Sequence, residues 1–590
     1  MRLGIDSGGT FTDVVAGDGR VAKVASTPDD PARAVERALD AVGGRDSVDV
    51  LAHGTTVATN ALLERRGARV ALISTRGFVD EIEIARQVRP SLYDPFVDRP
   101  SPLVGRDMRF EVSGRLDAQG TEIEPFDGAL PAIAGEVDAI AVCLLHADLD
   151  PRHEREVGDA LRAARSELVV CSHEVSPEFR EYERMVTTVV EAYLEPVCTP
   201  YLMHLATLAT EALVMTSAGG LVPVTGGARA AASLLLSGPA GGVRAAAEIA
   251  AACGFADAVS FDMGGTSTDV CLVRGRVPAP ASERVVAGFP IRLPALDVHT
   301  VGAGGGSIAR IDAGGALAVG PRSAGAVPGP ACYGRGGADP TVTDADLVLG
   351  RIPAEAVFPD LGRLDVAAAR RALERSGVTA EGVVRVVDAA MERAVRVVTV
   401  ERGVDPRELA LVAFGGAGPL HACAIAGALG MRAVVVPPRA GVCSAAGLLG
   451  APKSREVVHS FGGGSLADAL TRVEREARAH VGEGAIVETA VDCRYGGQSH
   501  ELTVASPDDF PAEHERRNGH ARPGAPIEVI AVRARASIPA PLRITDLPEV
   551  ERPRVVGPAV VAEPDCTMWV PEGWHAEPRE LGAWIVRPRR

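Results

Sequence analysis

DSGGTFTD at residues 6–13 decides the fold of this chain, because it recurs as DMGGTSTD at residues 262–269. Each copy follows a short apolar run and precedes a second apolar run that ends at a basic or glycine turn. Apolar runs on both sides of Gly-Gly-Thr predict two strands joined by a tight loop. The sequence therefore predicts two β-hairpins, about half a chain apart, whose tips suit an anion.

The residue types at the two hairpin tips suit a polyphosphate. Glycine lets backbone N–H groups approach phosphate oxygens closely, and threonine hydroxyls add donors. The leading acids, Asp6 and Asp262, stand at strand ends where they could hold a hydrated Mg²⁺. We expect two related lobes to grip one polyphosphate from opposite sides, through Gly8, Gly9, Thr10, Gly264, Gly265 and Thr266.

Composition excludes several other classes of protein. The 590 residues suffice for about four domains of ~150 residues, or for fewer and larger units if α/β lobes are duplicated. A hydrophobic content of 46% with 23% charged residues is typical of a globular protein, and 4% aromatic content predicts a core of Ala, Val and Leu. A net charge of −16 argues against general nucleic-acid binding, which needs clustered Lys and Arg.

Cysteine usage and the chain start predict the compartment. The ten cysteines are scattered without a C-x-x-C pair, so we interpret them as buried small hydrophobes in a reduced compartment, not as a zinc or disulfide framework. The first strand begins at once, without a basic and apolar leader, and no apolar run of about 18 residues is free of Gly, Pro and charge. We therefore expect a cytoplasmic protein with no membrane segment.

Strand and helix signals alternate along most of the chain. The predicted helices cover 32–42, 153–165, 178–194, 237–253 and 383–401, and the predicted strands 48–52, 70–73, 137–145, 168–171, 213–216 and 409–414. From about residue 451 short strands, proline and charge dominate. We expect an N-terminal α/β domain over 1–177, an α/β core with the second hairpin over 178–450, and a β-rich domain over 451–590.

A third glycine motif, Gly415-Gly416-Ala417-Gly418-Pro419, turns the strand over 409–414 into a helix. Such glycines leave a flat backbone surface against which an adenine ring could lie. The motif is common by itself, but its place after two phosphate hairpins is similar to the order in the actin-like ATPase superfamily. The fold class this implies is α/β, with duplicated actin-like (ribonuclease H-like) ATPase lobes and a β-rich C-terminal domain.

The intervening sequence resembles, more narrowly, the hydantoinase A / 5-oxoprolinase family, at its ATP-binding subunit. The stretches that carry this resemblance over residues 1 to about 450 are DSGGTFTDVV at Asp6, HGTTVATNALLERRGARVALISTRGFVD at His53, SPEFREYERMVTTVVEAYLEP at Ser176, LSGPAGGV at Leu236, DMGGTSTDV at Asp262, DVHTVGAGGGSIA at Asp297, VGPRSAGAVPGPACYGRGGADPTVTDADLVLGRI at Val319 and AFGGAGPLHA at Ala413. The C-terminal part matches more thinly, through RYGGQSHEL at Arg494 and the segment Glu563–Trp574, and it is shorter than is usual for the family.

The resemblance implies an enzyme of the N-methylhydantoinase/5-oxoprolinase type, which couples ATP to attack on an inert carbonyl. Family members open cyclic amides such as hydantoins and 5-oxoproline. Transfer of the γ-phosphoryl group to the ring carbonyl or enol oxygen makes a good leaving group, while Mg²⁺ and N–H donors carry the developing charge. The chain ends before any hydrolytic half, so we expect a hydantoinase B-like partner subunit, a hetero-oligomer, and a small cyclic amide as substrate.

The resemblance also assigns roles to individual positions. It implies that the hairpin tips cradle phosphates, that Asp6 and Asp262 position Mg²⁺ through water, and that Gly415, Gly416 and Gly418 face the nucleoside. Asp13 and Asp269 close the two hairpins. They either take a catalytic role or cap the N–H groups of their own loops.

The motif His53-Gly54-Thr55-Thr56 ends a predicted strand and opens a helix. The N-terminal dipole of a helix favours an anionic or polarised group. We expect His53, Thr55 and Thr56 to face the substrate or the transferred phosphoryl group. The alternative is ordinary threonine capping beside a packed imidazole.

The glycine-rich run GAGGGS at 302–307 is not interpreted as a dinucleotide-binding loop. Residues 308–311 look like a strand, and no suitably placed acidic strand end follows. We interpret Gly304 and Gly305 instead as part of a mobile loop near the nucleotide.

Two further sets of polar residues remain open to interpretation. Asp297 and His299 lie two positions apart on a predicted strand and so share a face, and Asp344 and Asp346 repeat that spacing. They could hold a second divalent metal, or they are solvated or hydrogen-bonded polar groups. The charged helix start over 180–184 is a solvated face, a source of interdomain ion pairs, or a partner surface.

Other functions share these motifs. The corresponding subunit of an ATP-dependent ketone carboxylase has the same set, and bicarbonate dependence would separate the two. A non-enzymatic ATP-switched assembly module also uses this fold, but should respond to protein partners. A simple sugar kinase would leave the His53 and Gly302 stretches without an explanation.

Overall fold

The computed structural model describes residues 1–27, 29–43, 48–355, 357–358 and 362–589, and two large sheets organise them. We call the first sheet with its helices the first lobe. Its ten strands, from edge to edge, are Leu502–Val504, Ile486–Tyr495, Ile527–Ile538, Lys453–Ser460, Leu221–Pro223, Glu211–Met215, Val50–Thr55, Arg2–Ser7, Phe11–Ala16 and Val21–Ala25.

The second sheet with its helices forms the second lobe. Along its main path lie Val277–Pro278, Thr268–Arg274, Ala258–Met263, Ala410–Phe414, Ala433–Val436, Trp584–Pro588, Trp574–Pro578 and Val555–Val556. Val298–Val301 pairs with Thr268–Arg274 beside this path.

Smaller sheets complete the strands. A parallel sheet in the N-terminal part has the order Leu168–Cys171, Ala139–Cys143, Val70–Thr75 and Arg109–Val112. The two-stranded pairs are Arg115–Leu116 with Glu122–Glu124, Pro280–Ala281 with Ala295–Leu296, Arg284–Val286 with Phe289–Ile291, Ser307–Ile311 with Leu317–Ser323, Val357–Phe358 with Gly362–Arg363, and Ala559–Ala562 with Thr567–Val570.

Helices cover the sheets and connect them. The α-helices are Pro31–Ala41, Val57–Leu63, Glu81–Ile84, Arg152–Ala164, Ser172–Val175, Glu181–Leu205, Val224–Ala228, Ser237–Ala252, Val342–Val348, Val366–Arg375, Ala380–Val398, Gly418–Leu429, Cys443–Gly450, Leu466–Val481 and Phe510–Asn518. Short 3₁₀ helices are Arg106–Met108, Ala231–Leu234, Ala331–Tyr333, Val400–Arg402, Pro406–Glu408, Ala440–Val442, Pro507–Asp509, Ile544–Asp546 and Glu580–Gly582.

The two lobes repeat one arrangement around their hairpins. In the first hairpin Arg2–Ser7 pairs antiparallel with Phe11–Ala16 and parallel with Val50–Thr55. In the second hairpin Ala258–Met263 pairs antiparallel with Thr268–Arg274 and parallel with Ala410–Phe414. This confirms both hairpins and the predicted duplication of actin-like α/β lobes.

Two helices, Ser237–Ala252 and Cys443–Gly450, pack on each other between the lobes, and we call them the linking helices. Their crossing depends on glycine, because a Cβ at Gly447 would stand 2.0 Å from the carbonyl oxygen of Gly241. The second linking helix also lies against the first hairpin, where a Cβ at Gly4 would stand 2.1 Å from the carbonyl oxygen of Ala445. Backbone therefore meets backbone where the lobes join.

Strands after residue 451 extend both large sheets. Lys453–Ser460 and Ile527–Ile538 lie in the first sheet, whereas Trp584–Pro588 pairs with Ala433–Val436 in the second. The division at residue 451 thus does not coincide with a division between sheets, and the three-domain organisation stays a proposal.

Element bounds differ from the sequence expectation at a few places. The helix expected over 178–194 runs from Glu181 to Leu205, through Pro196 and Pro200. A helix, Leu466–Val481, lies in the region expected to be β-rich. Asp344 and Asp346 lie on the helix Val342–Val348, so their spacing does not place them on one face as it would on a strand.

The interior has the expected composition. The cores of the two lobes are built mainly from alanine, valine and leucine. The ten cysteines are free and, except for the half-buried Cys253, buried. In the described part of the chain, no helix is both long and apolar enough to cross a membrane.

Candidate functional site

A row of side chains crosses the first lobe at the level of its hairpin. Asp6 stands opposite Asp13 on one neighbouring strand and opposite Gly54 on the other, and Asp13 stands opposite Lys23. Residues in direct register on neighbouring strands point to the same face of a sheet. The Lys23 Nζ donates to Asp13 Oδ1 at 2.5 Å, so this row ends in an ion pair.

The second lobe carries the equivalent row. Asp262 stands opposite Asp269 and Phe414, and Asp269 stands opposite Thr300. The Thr300 hydroxyl donates to Asp269 Oδ1 at 2.5 Å. Here a neutral hydroxyl takes the place that Lys23 has in the first lobe.

The acids of the two rows share one space between the lobes. Burial, with the neighbouring Asp13, raises the pKa of Asp6 to about 7. Burial, with Asp269 and Asp6, raises the pKa of Asp262 to about 8, and burial raises that of Asp269 to about 6. Burial also raises the pKa of Asp13, although Lys23 opposes this. Because the carboxylates raise one another's pKa across the lobes, their charge is incompletely compensated by protein groups.

This donor set suits a divalent cation such as Mg²⁺. Carboxylate oxygens are hard ligands, and Mg²⁺ binds through one or two carboxylates while it keeps several waters and phosphate oxygens. Like charges that stand directly opposite on a sheet repel each other. A cation between the rows would relieve that repulsion, which agrees with the expected position of Mg²⁺ near Asp6 and Asp262.

The hairpin tips leave open space for a ligand. Gly9 and Gly265 are exposed, and a Cβ at either would meet no heavy atom within 4 Å. The loops close on themselves, as Gly8 N–H donates to Phe11 O at 3.0 Å and Gly264 N–H to Ser267 O at 3.1 Å. Thr10 is half-buried and Thr266 exposed at these tips. The predicted phosphate residues thus lie at the ends of both loops.

A second pair of glycines makes room for the leading acids. A Cβ at Gly54 would stand 2.6 Å from Asp6 Oδ1, and one at Gly415 would stand 2.4 Å from Asp262 Oδ1. Gly415 also has a φ of +78°, which glycine adopts without strain. Gly416 is exposed, and Gly418 begins the helix Gly418–Leu429. The third motif therefore adjoins the second hairpin.

His53 lies elsewhere than expected. Its ring is fully buried, with Nδ1 3.0 Å from Ile5 O and Nε2 2.6 Å from the Tyr201 hydroxyl. Burial lowers the pKa of His53 to about 4, so the ring is neutral. Both ring nitrogens have partners inside the first lobe, which corrects the expectation that the imidazole faces substrate.

The two threonines of the same motif differ from each other. Thr55 is buried, and its Oγ1 accepts from Val57 N–H at 3.2 Å. Thr56 is half-buried, and its hydroxyl donates to Ser7 O at 3.3 Å, beside the first hairpin tip. Thr56 is therefore the member of the motif that borders the candidate phosphate space.

The loop with Gly304 and Gly305 braces the second hairpin. Gly305 N–H donates to Gly264 O at 3.0 Å, and Gly306 N–H donates to Gly265 O at 2.6 Å. Gly304 and Gly305 are buried, and a Cβ at Gly304 would stand 2.7 Å from Gly264 O. The loop thus holds the tip of the second hairpin through backbone contacts.

Asp297 and His299 are not brought to the carboxylate rows. Asp297 forms an ion pair with Arg402, and His299 stands opposite Val270 on the neighbouring strand. Among the described residues, the groups of three potential ligands that converge are His146 with Asp148 and Glu181, and Glu563 with Asp565 and Cys566. Asp297 and His299 thus belong to neither of the ligand groups found in the described part of the chain.

Sequence reasoning missed several residues of the site. Lys23 and Thr300 join the rows from third strands, and the Ser444 hydroxyl donates to Asp262 Oδ2 at 3.4 Å. Gly238, in the first turn of the first linking helix, lies against Asp6, with a Cβ position 3.5 Å from Asp6 Oδ1. SGPAGG at 237–242 was a visible signal for Gly238, whereas only strand pairing reveals Lys23 and Thr300.

Comparison with known protein families matches most of the chain. Residues 2–164 match the family model of the hydantoinase/oxoprolinase N-terminal region. Residues 184–457 match the hydantoinase/oxoprolinase family model. Together these segments contain both hairpins and the third glycine motif.

Three relatives cover most of this chain. The caprolactamase subunit alpha of Pseudomonas jessenii is 33% identical over 95% of this chain and 90% of its own. The 5-oxoprolinase 1 of Arabidopsis thaliana is 35% identical over 85% of this chain and 46% of its own. The acetophenone carboxylase gamma subunit of Aromatoleum aromaticum is 33% identical over 75% of this chain and 67% of its own.

One solved structure has nearly the same fold. The ATP-dependent caprolactamase from Pseudomonas jessenii superposes with a TM-score of 0.86 at 29% identity, over 100% of both chains. The likeness extends through the strands after residue 451.

Proposed function

Because the chain belongs to the hydantoinase/oxoprolinase family, we propose that it is the ATP-binding subunit of an ATP-dependent hydrolase that opens a cyclic amide. The observation that carries the proposal is the pair of facing carboxylate rows beneath two open glycine tips. An arrangement of this kind suits a polyphosphate and its cation, and the alignment with caprolactamase subunit alpha covers 90% of that relative.

The proposed reaction uses ATP to activate a ring carbonyl. A ring amide is a poor electrophile, and transfer of the γ-phosphoryl group to its carbonyl or enol oxygen creates a leaving group. In this scheme the tips around Gly9 and Gly265 hold phosphates, and Asp13, Asp269 and Thr56 border the transferred group. Mg²⁺, when bound at Asp6 and Asp262, would neutralise charge on the phosphate oxygens.

The nucleoside would lie beside the third glycine motif. Gly416 is exposed where the strand Ala410–Phe414 gives way to the helix Gly418–Leu429. That junction directly follows the position of Asp262 in the sheet register. Adenosine at the second lobe and phosphates between the lobes would then form one continuous site.

A partner subunit belongs to the proposal. The alignment with 5-oxoprolinase 1 covers 46% of that relative, so about half of the longer protein lies outside the match. Two other relatives are named as subunits. We propose that a hydantoinase B-like subunit supplies the hydrolytic step and that the working enzyme is a hetero-oligomer.

A ketone carboxylase subunit is the second candidate. The 33% identity to the acetophenone carboxylase gamma subunit favours it, since that alignment covers 67% of the relative. Activation of an enol oxygen by phosphorylation would serve either reaction.

The test is ADP release and product analysis by this chain together with its partner. The panel comprises hydantoins, 5-oxoproline, larger lactams and small ketones, each with isotopically labelled bicarbonate. ADP release with a ring-opened product that carries no label would support the amide hydrolase. Label in a carboxylated ketone would move the assignment to the carboxylase, and no turnover with any of them would contradict both.

Matched variants link any turnover to the proposed site. Asp262→Asn removes a carboxylate of the second row, so we expect at least a hundredfold loss of ADP release. Glu488→Gln changes an exposed carboxylate on the strand Ile486–Tyr495 and should leave the rate unchanged. Equal rates for both variants would remove the carboxylate rows from the mechanism.

A further inference from the structure

Lysine is rare in this chain, which makes its placement informative. Of the 61 basic residues only Lys23 and Lys453 are lysines. Arginine is always charged and binds through a planar fork, whereas lysine offers a compact ammonium with three donors on a flexible stem. One of the two lysines lies in the carboxylate row of the first hairpin.

The geometry of Lys23 leaves donors for a ligand. Its Nζ bonds to Asp13 Oδ1 at 2.5 Å and lies 5.1 Å from the centre of the Phe11 ring. Within the described residues that hydrogen bond occupies one of three N–H donors, and the side chain is 22% exposed. The ammonium is therefore fixed by Asp13 and Phe11 without being sealed from the space between the lobes.

The charge of Lys23 reaches beyond its ion pair. It lowers the pKa of Asp6 as well as that of Asp13, against the effect of burial on both. Asp6 and Asp13 stand in register on neighbouring strands, so all three side chains lie on one face. Lys23 is thus close to the position where the proposed phosphates meet the first row.

In the second lobe a threonine takes the equivalent place. Thr300 stands opposite Asp269 as Lys23 stands opposite Asp13, and each donates one hydrogen bond to its acid at 2.5 Å. Each row also contains two acids, Asp6 with Asp13 in the first lobe and Asp262 with Asp269 in the second. The row of the first lobe therefore carries a positive charge where the row of the second lobe carries a neutral hydroxyl.

We propose that Lys23 binds the terminal phosphates of ATP, so that the first hairpin carries the more negatively charged end of the triphosphate. This inference rests on the proposed use of ATP. Lysine is well suited to such a role, since it acts as a point charge toward phosphate oxygens. The Asp13 carboxylate then serves as the anchor that orients the ammonium.

The affinity test compares ATP with AMP, which lacks the terminal phosphates. Calorimetry on the purified chain gives the Kd of each for wild type, Lys23→Met, Lys23→Arg and Lys453→Met. Lys453 pairs with Glu211 on the same sheet and is the matched control. We expect Lys23→Met to raise the Kd for ATP about tenfold, because a charged hydrogen bond is lost, and to leave the Kd for AMP unchanged. Lys23→Arg should recover part of the loss.

Chemical labelling gives a second, independent readout. An amine-acylating reagent and mass spectrometry report modification at the two lysines of one molecule, with and without ATP and Mg²⁺. ATP should protect Lys23 and leave Lys453 unprotected. Equal labelling of Lys23 with and without bound ATP would overturn the proposal, as would equal losses of ATP and AMP affinity in Lys23→Met.

These outcomes separate the inference from the proposed function. Lys23-dependent ATP binding without opening of any cyclic amide would support the inference while the substrate class fails. Amide-dependent ADP release with unchanged ATP affinity in Lys23→Met would overturn the inference and support the proposed function. A wild-type chain that binds no ATP would overturn both.

Discussion

Substitution of Gly9 or Gly265 at the hairpin tips should affect ligand binding without affecting folding. A Cβ at either would meet no protein atom within 4 Å, and neither glycine has a positive φ. We expect Gly9→Ala and Gly265→Ala to keep the Tm of the wild type. Each should raise the Kd for ATP at least about tenfold, because the methyl group takes space needed for a phosphate and its charged hydrogen bonds.

Thermal unfolding and calorimetry with ATP check this expectation. Gly226→Ala is the control, since a Cβ there also meets open space but lies in the helix Val224–Ala228. ATP affinity that survives both tip substitutions would show that phosphates do not approach these loops.

The raised pKa of Asp262 predicts how the ligand-free protein responds to pH. Its ordinary value is 3.8 and its folded value about 8. Between these pH values the folded chain retains a proton that the unfolded chain releases, so the free energy of unfolding falls as pH rises. We expect Asp262→Asn to raise the Tm at pH 8, on the order of a degree or more, and to have little effect near pH 4.

Scanning calorimetry across this pH range makes the comparison, with Asp339→Asn as the control because that carboxylate is exposed. Saturating Mg²⁺ and ATP should reduce the difference between wild type and Asp262→Asn. A variant that is less stable than wild type at pH 8 would show that the carboxylate is already compensated.

At the scale of elements, His421 ties three helices together behind the third glycine motif. Its fully buried ring has Nδ1 2.7 Å from Asp388 Oδ1 and Nε2 3.2 Å from Asp346 Oδ2. Burial lowers the pKa of this imidazole, but the two carboxylates outweigh it and raise the pKa to about 10. The charged ring therefore joins Val342–Val348, Ala380–Val398 and Gly418–Leu429.

We expect His421→Asn to lower the free energy of unfolding by about 3 kcal/mol, since it leaves two carboxylates without their cation. The wild-type contribution is complete below pH 6.5 and is lost as pH rises through about 10. Denaturant unfolding measures both. His204→Asn removes the surface pair with Glu36 and should cost less than about 1 kcal/mol. Equal costs would contradict the assignment of charge to His421.

Helices and strands were predicted well where a short stretch of sequence contains the whole signal. Gly-Gly-Thr between apolar runs predicted both hairpins, and the strand over 168–171 was predicted to the residue. The long helix was predicted to end at Leu194 but continues to Leu205, because a helix tolerates Pro196 where neighbouring packing compensates the lost hydrogen bond. Lys23, Thr300 and Tyr201 could not be assigned, since their partners depend on strand register and on contacts between distant segments.

At the scale of the whole molecule, the C-terminal residues are part of both lobes. Lys453–Ser460 pairs inside the first sheet, and Trp584–Pro588 pairs with Ala433–Val436 in the second. Trp584 is 1% exposed and belongs to the core of the second lobe. Removal of this region would expose strand edges and core together.

We therefore expect a chain truncated after Gly450 to be insoluble. Residues 451–590 supplied as a separate chain in the same cells should restore soluble protein, which soluble yield and co-purification would measure. A soluble 1–450 fragment with a cooperative unfolding transition would instead support an independent C-terminal domain, as the sequence pattern indicated.

The glycine crossing of the linking helices has a consequence for motion. Gly241 and Gly447 meet through backbone atoms, so neither of these two positions contributes a side chain that would lock the helices together. Interlocked side chains resist rotation because they must change rotamer to pass one another. Helices that cross at two glycines lack this barrier at the point of closest approach. We therefore expect the two lobes to rotate about this crossing when a nucleotide binds. The binding free energy then need not offset the separation of interlocked side chains at these two positions.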